Sequence, residues 1–456
     1  MNICRFCNVA ACFLALASAS GWADDGALDT QFAGSGKLRI PFDDPSGTKA
    51  DHAYAVTIQP NGMALVLGSV ASETSTLVGL ARVQTNGVLD PSFNGDSNTD
   101  GKIVFGFLGS SEPRGLALLS DGRIVVAAEV EGGIALLTRR SANGDNDDQF
   151  PGTVFGLAFA IPGATNTEFV ALLGVAGGKF LAAGTFTTIA GGNDYFVARF
   201  TSDGVLDSGF GSQSGYTRIG FDLDGTKNDK AVALALAPDG RIAVVGTVSE
   251  GDNEIGVAML QSNGTPDNSF DGDGKAVVNF DIGLVSDDRA KGACFAPDGT
   301  LFVVGTVTES LAGSAAGIAL LSKTGSLVNG FGNANGRRII TFFDTTVAAG
   351  AACTRDGKFL LTGTVNISDP ALAPSEAFVA RYLGNGSYDN TFGSTLGTAF
   401  FGINVALNGR SDRGVAIAQD AGGRIYSLFD AEYLDPDYDL ALARLTVDPI
   451  FADDFE

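Results

Sequence analysis

The chain has few of the residues on which metal and nucleophile chemistry usually depends. Its 456 residues include one histidine, His52, so a centre built from several histidines is excluded. The GxSxG, HExxH and P-loop patterns are absent. The one tryptophan, Trp22, lies in the N-terminal segment, so the rest of the chain lacks the exposed indoles of many sugar-binding platforms. We expect His52 to begin a strand and to have a structural role.

Basic residues are also scarce. The 29 Lys and Arg are outnumbered by 52 Asp and Glu, which gives a formal net charge of -23 at pH 7. Nucleic acid is therefore excluded as a partner, because phosphate binding needs a basic surface. Beyond the N-terminal segment no apolar run is long enough for a membrane helix, and we expect no membrane span.

The N-terminal segment has the pattern of a secretory signal peptide. One Arg, an apolar run over residues 9 to 17 and a stretch of small residues predict a signal peptide over 1–23. The protein is therefore expected to be secreted or periplasmic. Residues 448–456, PIFADDFE with the preceding Asp, are predicted to be an acidic tail.

Only two cysteines lie outside this leader. Cys294 and Cys353 fall in apolar strand patterns at non-equivalent positions of neighbouring repeats. An oxidising compartment permits a disulfide without requiring one, and we expect two small buried thiols instead.

Glycine and phenylalanine are abundant, and both recur with a fixed period. A segment such as PDNSFDGDGK appears about every 60 residues and fills the chain from 28 to 447. Its phenylalanines are Phe32, Phe93, Phe150, Phe210, Phe270, Phe331 and Phe392. Each copy contains four short apolar runs, and Asp-Gly or a similar pair separates the first two. Four strands joined by tight turns are typical of a propeller blade.

These segments resemble the delta-60 repeat family, exported bacterial tandem repeats with an LDxSFGxxGK-like signature and a following PDGKI-like hairpin. Asn146 and Val328 depart from the signature. The resemblance implies a β-propeller-like array and no particular activity.

The order of the runs predicts how the array closes. The chain begins with a fourth-strand pattern at residues 37 to 42 and ends with a third-strand pattern at 438 to 445. We therefore predict an all-β, seven-bladed β-propeller of four-stranded blades, in which the N-terminal strand completes the last blade. We expect a monomer.

Two groups of side chains with oxygen ligands are candidate sites. Asp96, Asn98 and Asp100 match the first half of a calcium loop, but Phe107 stands where a bidentate Glu is needed, so a turn is the favoured interpretation. The second group precedes the inner strands and would surround the channel mouth. It comprises Asp51, Glu112, Glu168, Asp229, Asp288 and Asp412.

Cations follow most of these acids by one or two residues, among them Arg114 and Arg289. One hypothesis is a circle of blade-to-blade ion pairs. The other is an electronegative funnel for Ca²⁺ or a basic ligand.

Acidity is concentrated in the loops that join strand 2 to strand 3 and strand 4 to the next blade, which we call the acidic face. The opposite end is called the Phe-motif face. This pattern favours an exported, non-catalytic interaction or surface module with an unknown protein or cell-envelope partner. The alternative is a propeller hydrolase or lactonase-like enzyme with a divalent cation at the channel mouth, and a third possibility is a passive envelope component. In an enzyme the acids should converge on one metal, whereas in a scaffold they should pair with the adjacent Arg and Lys.

Overall fold

Seven four-stranded antiparallel sheets form the protein in a computed structural model. The structure describes residues 25–447 apart from 43–49, 94–97, 108, 153–155, 222, 224–227, 251, 281–286, 311–312, 334, 367–374, 395, 403–410 and 435–436. The predicted signal peptide and acidic tail lie outside the described residues. Across the described ranges, no helix is both long and apolar enough to span a membrane.

Each blade contains four consecutive strands, except the last, which takes its fourth strand from the N-terminus. Blade 1 contains β2 (His52–Ile58), β3 (Ala64–Ala71), β4 (Thr76–Val83) and β5 (Lys102–Phe105), and blade 2 contains β6 (Ser111–Leu118), β7 (Ile124–Val130), β8 (Ile134–Arg140) and β9 (Leu157–Phe159). Blade 3 contains β10 (Ala164–Gly174), β11 (Phe180–Thr188), β12 (Asn193–Phe200) and β13 (Tyr216–Ile219), and blade 4 contains β14 (Lys230–Leu236), β15 (Ile242–Glu250), β16 (Asp252–Leu260) and β17 (Lys275–Val278). Blade 5 contains β18 (Arg289–Phe295), β19 (Leu301–Ser310), β20 (Gly313–Leu321) and β21 (Arg337–Ile340), and blade 6 contains β22 (Thr345–Cys353), β23 (Phe359–Asn366), β24 (Ser375–Tyr382) and β25 (Thr398–Phe401). Blade 7 contains β26 (Asp412–Gln419), β27 (Ile425–Leu434), β28 (Asp437–Leu445) and β1 (Lys37–Ile40).

The first strand of each blade lies innermost, against the first strands of both neighbouring blades. Because β2 also lies against β26, the blades form a closed ring. The second and third strands are covered on both sides by neighbouring blades, so runs such as Leu65–Leu67 are fully buried. The β-branched and aliphatic residues of these strands therefore form the wedge-shaped cores between blades.

The predicted closure is confirmed. Strand β1 pairs antiparallel with β28 in the register Lys37↔Ala443 to Ile40↔Leu440. The segment before β1 continues the contact, since the Asp29 N–H donates to the Arg444 carbonyl at 2.9 Å. Ile40 is fully buried in the blade 7 to blade 1 wedge, so the N-terminal strand is part of the core.

The seven Phe-motif phenylalanines are buried, with at most 2% of any side chain exposed. Each ring fills the space where strand 3 crosses to strand 4. In the turn of the next blade a glycine lies against the ring: a Cβ on Gly264, whose φ is +84°, would come within 2.6 Å of the Phe210 ring. Only glycine accepts both this φ and this approach without strain.

The expectation of two free thiols is wrong. Cys294 on β18 and Cys353 on β22 form a disulfide between the inner strands of blades 5 and 6. Cys294 lies opposite Phe302 and Cys353 opposite Phe359, so the two are offset by one position along their strands. Proximity across the wedge decides the pairing, and the Cα atoms are 5.6 Å apart, which suits a disulfide.

Candidate functional site

A side-chain oxygen occupies the same place at the start of every inner strand, which we call the cap position. The register between the first and second strands of each blade identifies the cap position, because a β-bulge in the inner strand follows it at the same distance in every blade. The cap position is held by Asp51, Ser111, Thr167, Asp229, Asp288, Thr346 and Asp412, all at most 4% exposed.

The cap position binds the main chain that leaves the preceding fourth strand. The Phe42 N–H donates to Asp51 at 3.1 Å, the Phe221 N–H to Asp229 at 2.8 Å and the Phe280 N–H to Asp288 at 2.6 Å. Serine and threonine hydroxyls accept the same bond in blades 2, 3 and 6, at 3.0, 3.0 and 2.7 Å. A buried N–H without a partner would be costly, and a neutral oxygen meets the need as well as a carboxylate does. The cap position therefore needs an acceptor and not a charge.

The six predicted channel-mouth carboxylates consequently divide into two sets. Asp51, Asp229, Asp288 and Asp412 hold the cap position, whereas Glu112 and Glu168 lie one residue further along and are half-buried. Glu112 accepts the Tyr54 hydroxyl at 3.0 Å, and Glu168 accepts the Asn166 amide at 2.8 Å. Burial, together with Glu112, raises the pKa of Tyr54 to about 12.

The position after the cap is mixed in charge. It carries His52, Glu112, Glu168, Lys230, Arg289, Val347 and Arg413, of which Lys230, Arg289 and Arg413 are exposed. The side chains that reach solvent at this end of the inner strands thus include more bases than acids. The six predicted carboxylates therefore do not share one position along the inner strands, and bases stand beside them.

Three of the basic residues near these acids pair with other acids. Arg114 binds Glu129 at 2.7 Å, Arg289 binds Asp287 at 3.1 Å, and His52 Nδ1 lies 3.2 Å from Asp430. The hydrogen bond to Asp430 raises the pKa of His52 above its usual value. The His52–Asp430 contact joins blades 1 and 7, although Asp430 is not one of the six carboxylates that the scaffold hypothesis expects to be paired.

The half calcium loop is only partly within the described residues, because Asp96 lies outside them. Asp100 accepts the Lys102 N–H at 3.0 Å and lies 3.5 Å from the Lys102 ammonium. Within the described ranges, no three His, Cys, Asp or Glu residues lie together in a way that could hold a metal ion.

The structure also reveals a recurring device on the Phe-motif face, which we call the guanidinium bridge. An arginine on the third strand pairs through Nε with the aspartate three residues before the motif phenylalanine, as in Arg82–Asp90 at 2.7 Å and Arg199–Asp207 at 2.7 Å. Arg139–Asp147, Arg381–Asp389 and Arg444–Asp29 follow the same pattern, each at 2.8 Å.

The same guanidinium contacts two further groups. It lies over the motif phenylalanine, 4.5 Å from the ring centre for Arg199 and Phe210. It also donates to a carbonyl in the next blade, as Arg199 does to Ser262 at 2.9 Å. Arg82, Arg139 and Arg444 reach Ala142, Ser202 and Thr85 in the same way, while Arg381 binds Asp25.

Blade 4 forms its bridge from a different position. Met259 replaces the third-strand arginine, and Arg241 from the first hairpin binds Asp267 at 3.3 Å and the Lys323 carbonyl at 2.9 Å. Sequence reasoning did not find the bridge, although a signal is present: arginine precedes the motif aspartate by eight residues in blades 1, 2, 3 and 6.

The aspartates of the blade 4 Phe motif, residues 266–275, belong to this device and to the turn beside it. Asp267 binds Arg241, Asp273 accepts the Lys275 N–H at 2.9 Å, and Asp271 is exposed with φ of +51°. Asp271 and Asp273 are therefore turn residues, whereas Asp267 is part of the bridge.

Three segments of the chain match the model of a β-propeller domain family of unknown function, DUF5122. The matched residues are 59–93, 178–210 and 237–270. No curated protein sequence matches the chain.

Several solved structures have a similar arrangement at low sequence identity. A protein of unknown function from Dyadobacter fermentans is 13% identical, with 90% of this chain and 98% of that chain covered and a TM-score of 0.45. One of unknown function from Bacteroides caccae is 10% identical, with 74% and 98% covered and a TM-score of 0.37. The gluconolactonase XC5397 from Xanthomonas campestris is 15% identical, with 69% and 83% covered and a TM-score of 0.34. Identities this low transfer no function.

Proposed function

We propose that the chain is an exported member of the delta-60 repeat family and that its propeller is a non-catalytic interaction module. Its partner is a basic protein or another cationic component of the cell envelope, bound at the acidic face. The signal-peptide pattern of residues 1–23 supports export, and the three segments that match a propeller family support the repeat assignment.

The non-catalytic role rests on one observation: the side chains at the cap position accept main-chain hydrogen bonds. Asp229 and Asp288 each accept a main-chain N–H in a fully buried place, and hydroxyls replace them in other blades. A carboxylate whose task is met by threonine is held there for the fold. These groups are therefore poor candidates for acid–base or metal chemistry.

The charge of the acidic face supports a cationic partner. Exposed acids occur in its described loops, and the chain as a whole has a net charge of -23. Charge of one sign raises the rate of encounter with an oppositely charged partner and makes binding sensitive to salt.

The test is binding to the envelope fraction of the native organism, with and without Ca²⁺, using two variants of equal charge change. The first neutralises the acidic face with Glu73→Gln, Glu131→Gln, Asp252→Asn and Asp344→Asn. The control neutralises the Phe-motif face with Asp145→Asn, Asp148→Asn, Asp271→Asn and Asp273→Asn.

We expect the first variant to bind about tenfold more weakly at low salt and the control to bind as the wild type does. Equal loss in both variants would show that only net charge matters, and no loss in either would remove the acidic face from the proposal. A saturable heat with Ca²⁺ that Asp288→Asn abolishes would favour the metal-dependent hydrolase instead.

A further inference from the structure

Blade 5 departs from the guanidinium bridge at each position that could supply it. Leu320 holds the third-strand position, as shown by its N–H bond to Gly336, which matches that of Arg381 to Gly397. Val328 holds the aspartate position, because its N–H bonds to the Leu320 carbonyl as Asp389 does to Arg381. Thr300 holds the hairpin position that Arg241 occupies in blade 4.

A cavity of about 420 Å³ lies at this place, between blades 5 and 6. Leu320, Val328 and Thr300 all line it. Gly384 lines its far side and is the blade 6 counterpart of Ser262, because the Leu383 N–H closes the same turn onto Ser387. The cavity therefore lies beside the positions that hold the guanidinium and its partners at the other junctions.

The interior of this cavity is apolar. Ala296, Phe302 and Leu320 belong to the core cluster of the blade 5 to blade 6 wedge, and the partly buried Val328 packs against it. Since both members of the ion pair are replaced, no buried charge is left behind at these two positions. An apolar body of a few carbon atoms would gain by leaving water for this surface.

The rim of the cavity carries the charge. Asp298 and Asp356 line it, with Arg355 as the one basic lining residue. Asp298 uses Oδ1 to accept the Thr300 N–H at 2.9 Å, while Asp356 lies 3.3 Å from Lys358. Hydrogen bonds from Thr300, and to a lesser extent the charge of nearby Lys323, lower the pKa of Asp298, so its carboxylate is ionised at neutral pH.

We propose that this cavity, which we call the blade 5 cavity, is a binding site for a small amphipathic cation. The apolar body of the ligand lies against Phe302, Leu320 and Val328, and its ammonium or guanidinium group lies at the rim near Asp298. The volume is within the range of small-molecule sites. At the other junctions the molecule itself supplies such a group, an alkyl stem that ends in a guanidinium.

The test is calorimetric titration of the full mature chain with n-hexylammonium, n-hexanol and n-hexanoate, which share the apolar body and differ in the head group. We expect saturable binding in the order ammonium, alcohol, carboxylate. Asp298→Asn keeps the acceptor for Thr300, and it should weaken the ammonium about tenfold while leaving the alcohol unchanged.

Two variants fill the cavity from within. Thr300→Arg copies the bridge of blade 4, and Leu320→Arg with Val328→Asp copies that of the other blades. Either should abolish binding of the ammonium, whereas Ser212→Arg, an exposed position on the same face, should leave it unchanged. If the buried double variant fails to fold, Thr300→Arg still decides the matter.

Two outcomes would overturn the proposal. Absence of saturable binding, or binding that survives Thr300→Arg, would show that the cavity is not the site. Binding of hexanoate as tight as that of hexylammonium would show that the rim does not select a cation.

Discussion

Replacing Cys294 and Cys353 together with serine should lower the free energy of unfolding by about 4 kcal/mol. The bond joins residues 59 positions apart in sequence. In the chain-entropy treatment a loop of this length loses about 14 cal/mol/K in the unfolded ensemble, or about 4 kcal/mol at 25 °C. The corresponding fall in melting temperature is about 5 °C for a domain of this size.

The assay is denaturant unfolding and calorimetry of the oxidised wild type, after mass spectrometry without reductant has verified the bond. The control is Ala293→Ser with Ala351→Ser, which adds the same hydroxyls beside the cysteines on β18 and β22 without removing a cross-link. A difference between the two variants below about 1 kcal/mol would refute the loop-entropy reasoning. Two free thiols in the oxidised, folded protein would refute the pairing itself.

The disulfide crosses the blade 5 to blade 6 junction, and this location leads to a second prediction. Because that junction lacks a guanidinium bridge, Thr300→Arg should restore part of the stability lost in the serine variant. The gain should be about 1 kcal/mol, the value of a charge-assisted hydrogen bond between partly exposed groups. No gain would show that Arg at this position does not reach the Gly384 carbonyl.

The remaining predictions concern charged groups. Arg82→Leu should cost about 3 kcal/mol, because it leaves the buried Asp90 carboxylate unpaired, and adding Asp90→Val should recover most of this loss in denaturant unfolding. The C2 proton of His52 should titrate in NMR with a pKa above 6.5, and Asp430→Asn should lower that pKa. The His52–Asp430 contact therefore contributes fully to stability below pH 6.5, and this contribution is lost as pH rises through the folded-state pKa of His52. Burial raises the pKa of Asp389, but hydrogen bonds and charge from its partners outweigh burial and bring it to about 2, so its contribution is full above about pH 4 and is lost as pH falls toward 2. Asp389→Asn should therefore flatten the acid limb of stability against pH.

Each of these measurements has a control in the same molecule. Arg355→Leu removes an exposed arginine and should leave stability within about 0.5 kcal/mol. Asp148→Asn removes an exposed carboxylate and should leave the acid limb unchanged. A double variant at positions 82 and 90 that is less stable than Arg82→Leu would contradict the argument from unpaired charge. A pKa of His52 at or below 6.5 would contradict the contact with Asp430.

The sequence was sufficient to predict the features that depend on the order of residues within one repeat. The recurring Phe motif, the Asp-Gly turns and the alternation of apolar residues are determined within one repeat, and the count of strands at each end determines the closure of β1 onto β28. The channel-mouth carboxylates were grouped by proximity to a strand start. A shift of one residue separates Glu112 from Ser111, and only the register with β7 shows that Ser111 is the cap.

Contacts between blades were beyond the reach of the same reasoning. The disulfide depends on how two inner strands lie across a wedge, and the offset of one residue between Cys294 and Cys353 hides it from a comparison of repeats. The guanidinium bridge depends on a chain that folds back over eight residues and on a carbonyl in another blade. The constant spacing of Arg and Asp in the repeats indicates the Arg–Asp ion pair, but the bond to a carbonyl of the next blade is visible only in the structure.

The changes in blade 5 are best explained as one coordinated replacement. Loss of the third-strand arginine leaves a buried carboxylate that needs another partner. Blade 4 keeps Asp267 and supplies Arg241, whereas blade 5 replaces the aspartate as well, with Val328. The exchange leaves a cavity and removes a bond between blades, and the blade 5 to blade 6 junction is also the one that the Cys294–Cys353 disulfide crosses. A covalent link between β18 and β22 limits how far the two blades can separate, so it offsets part of the stability lost with that bond.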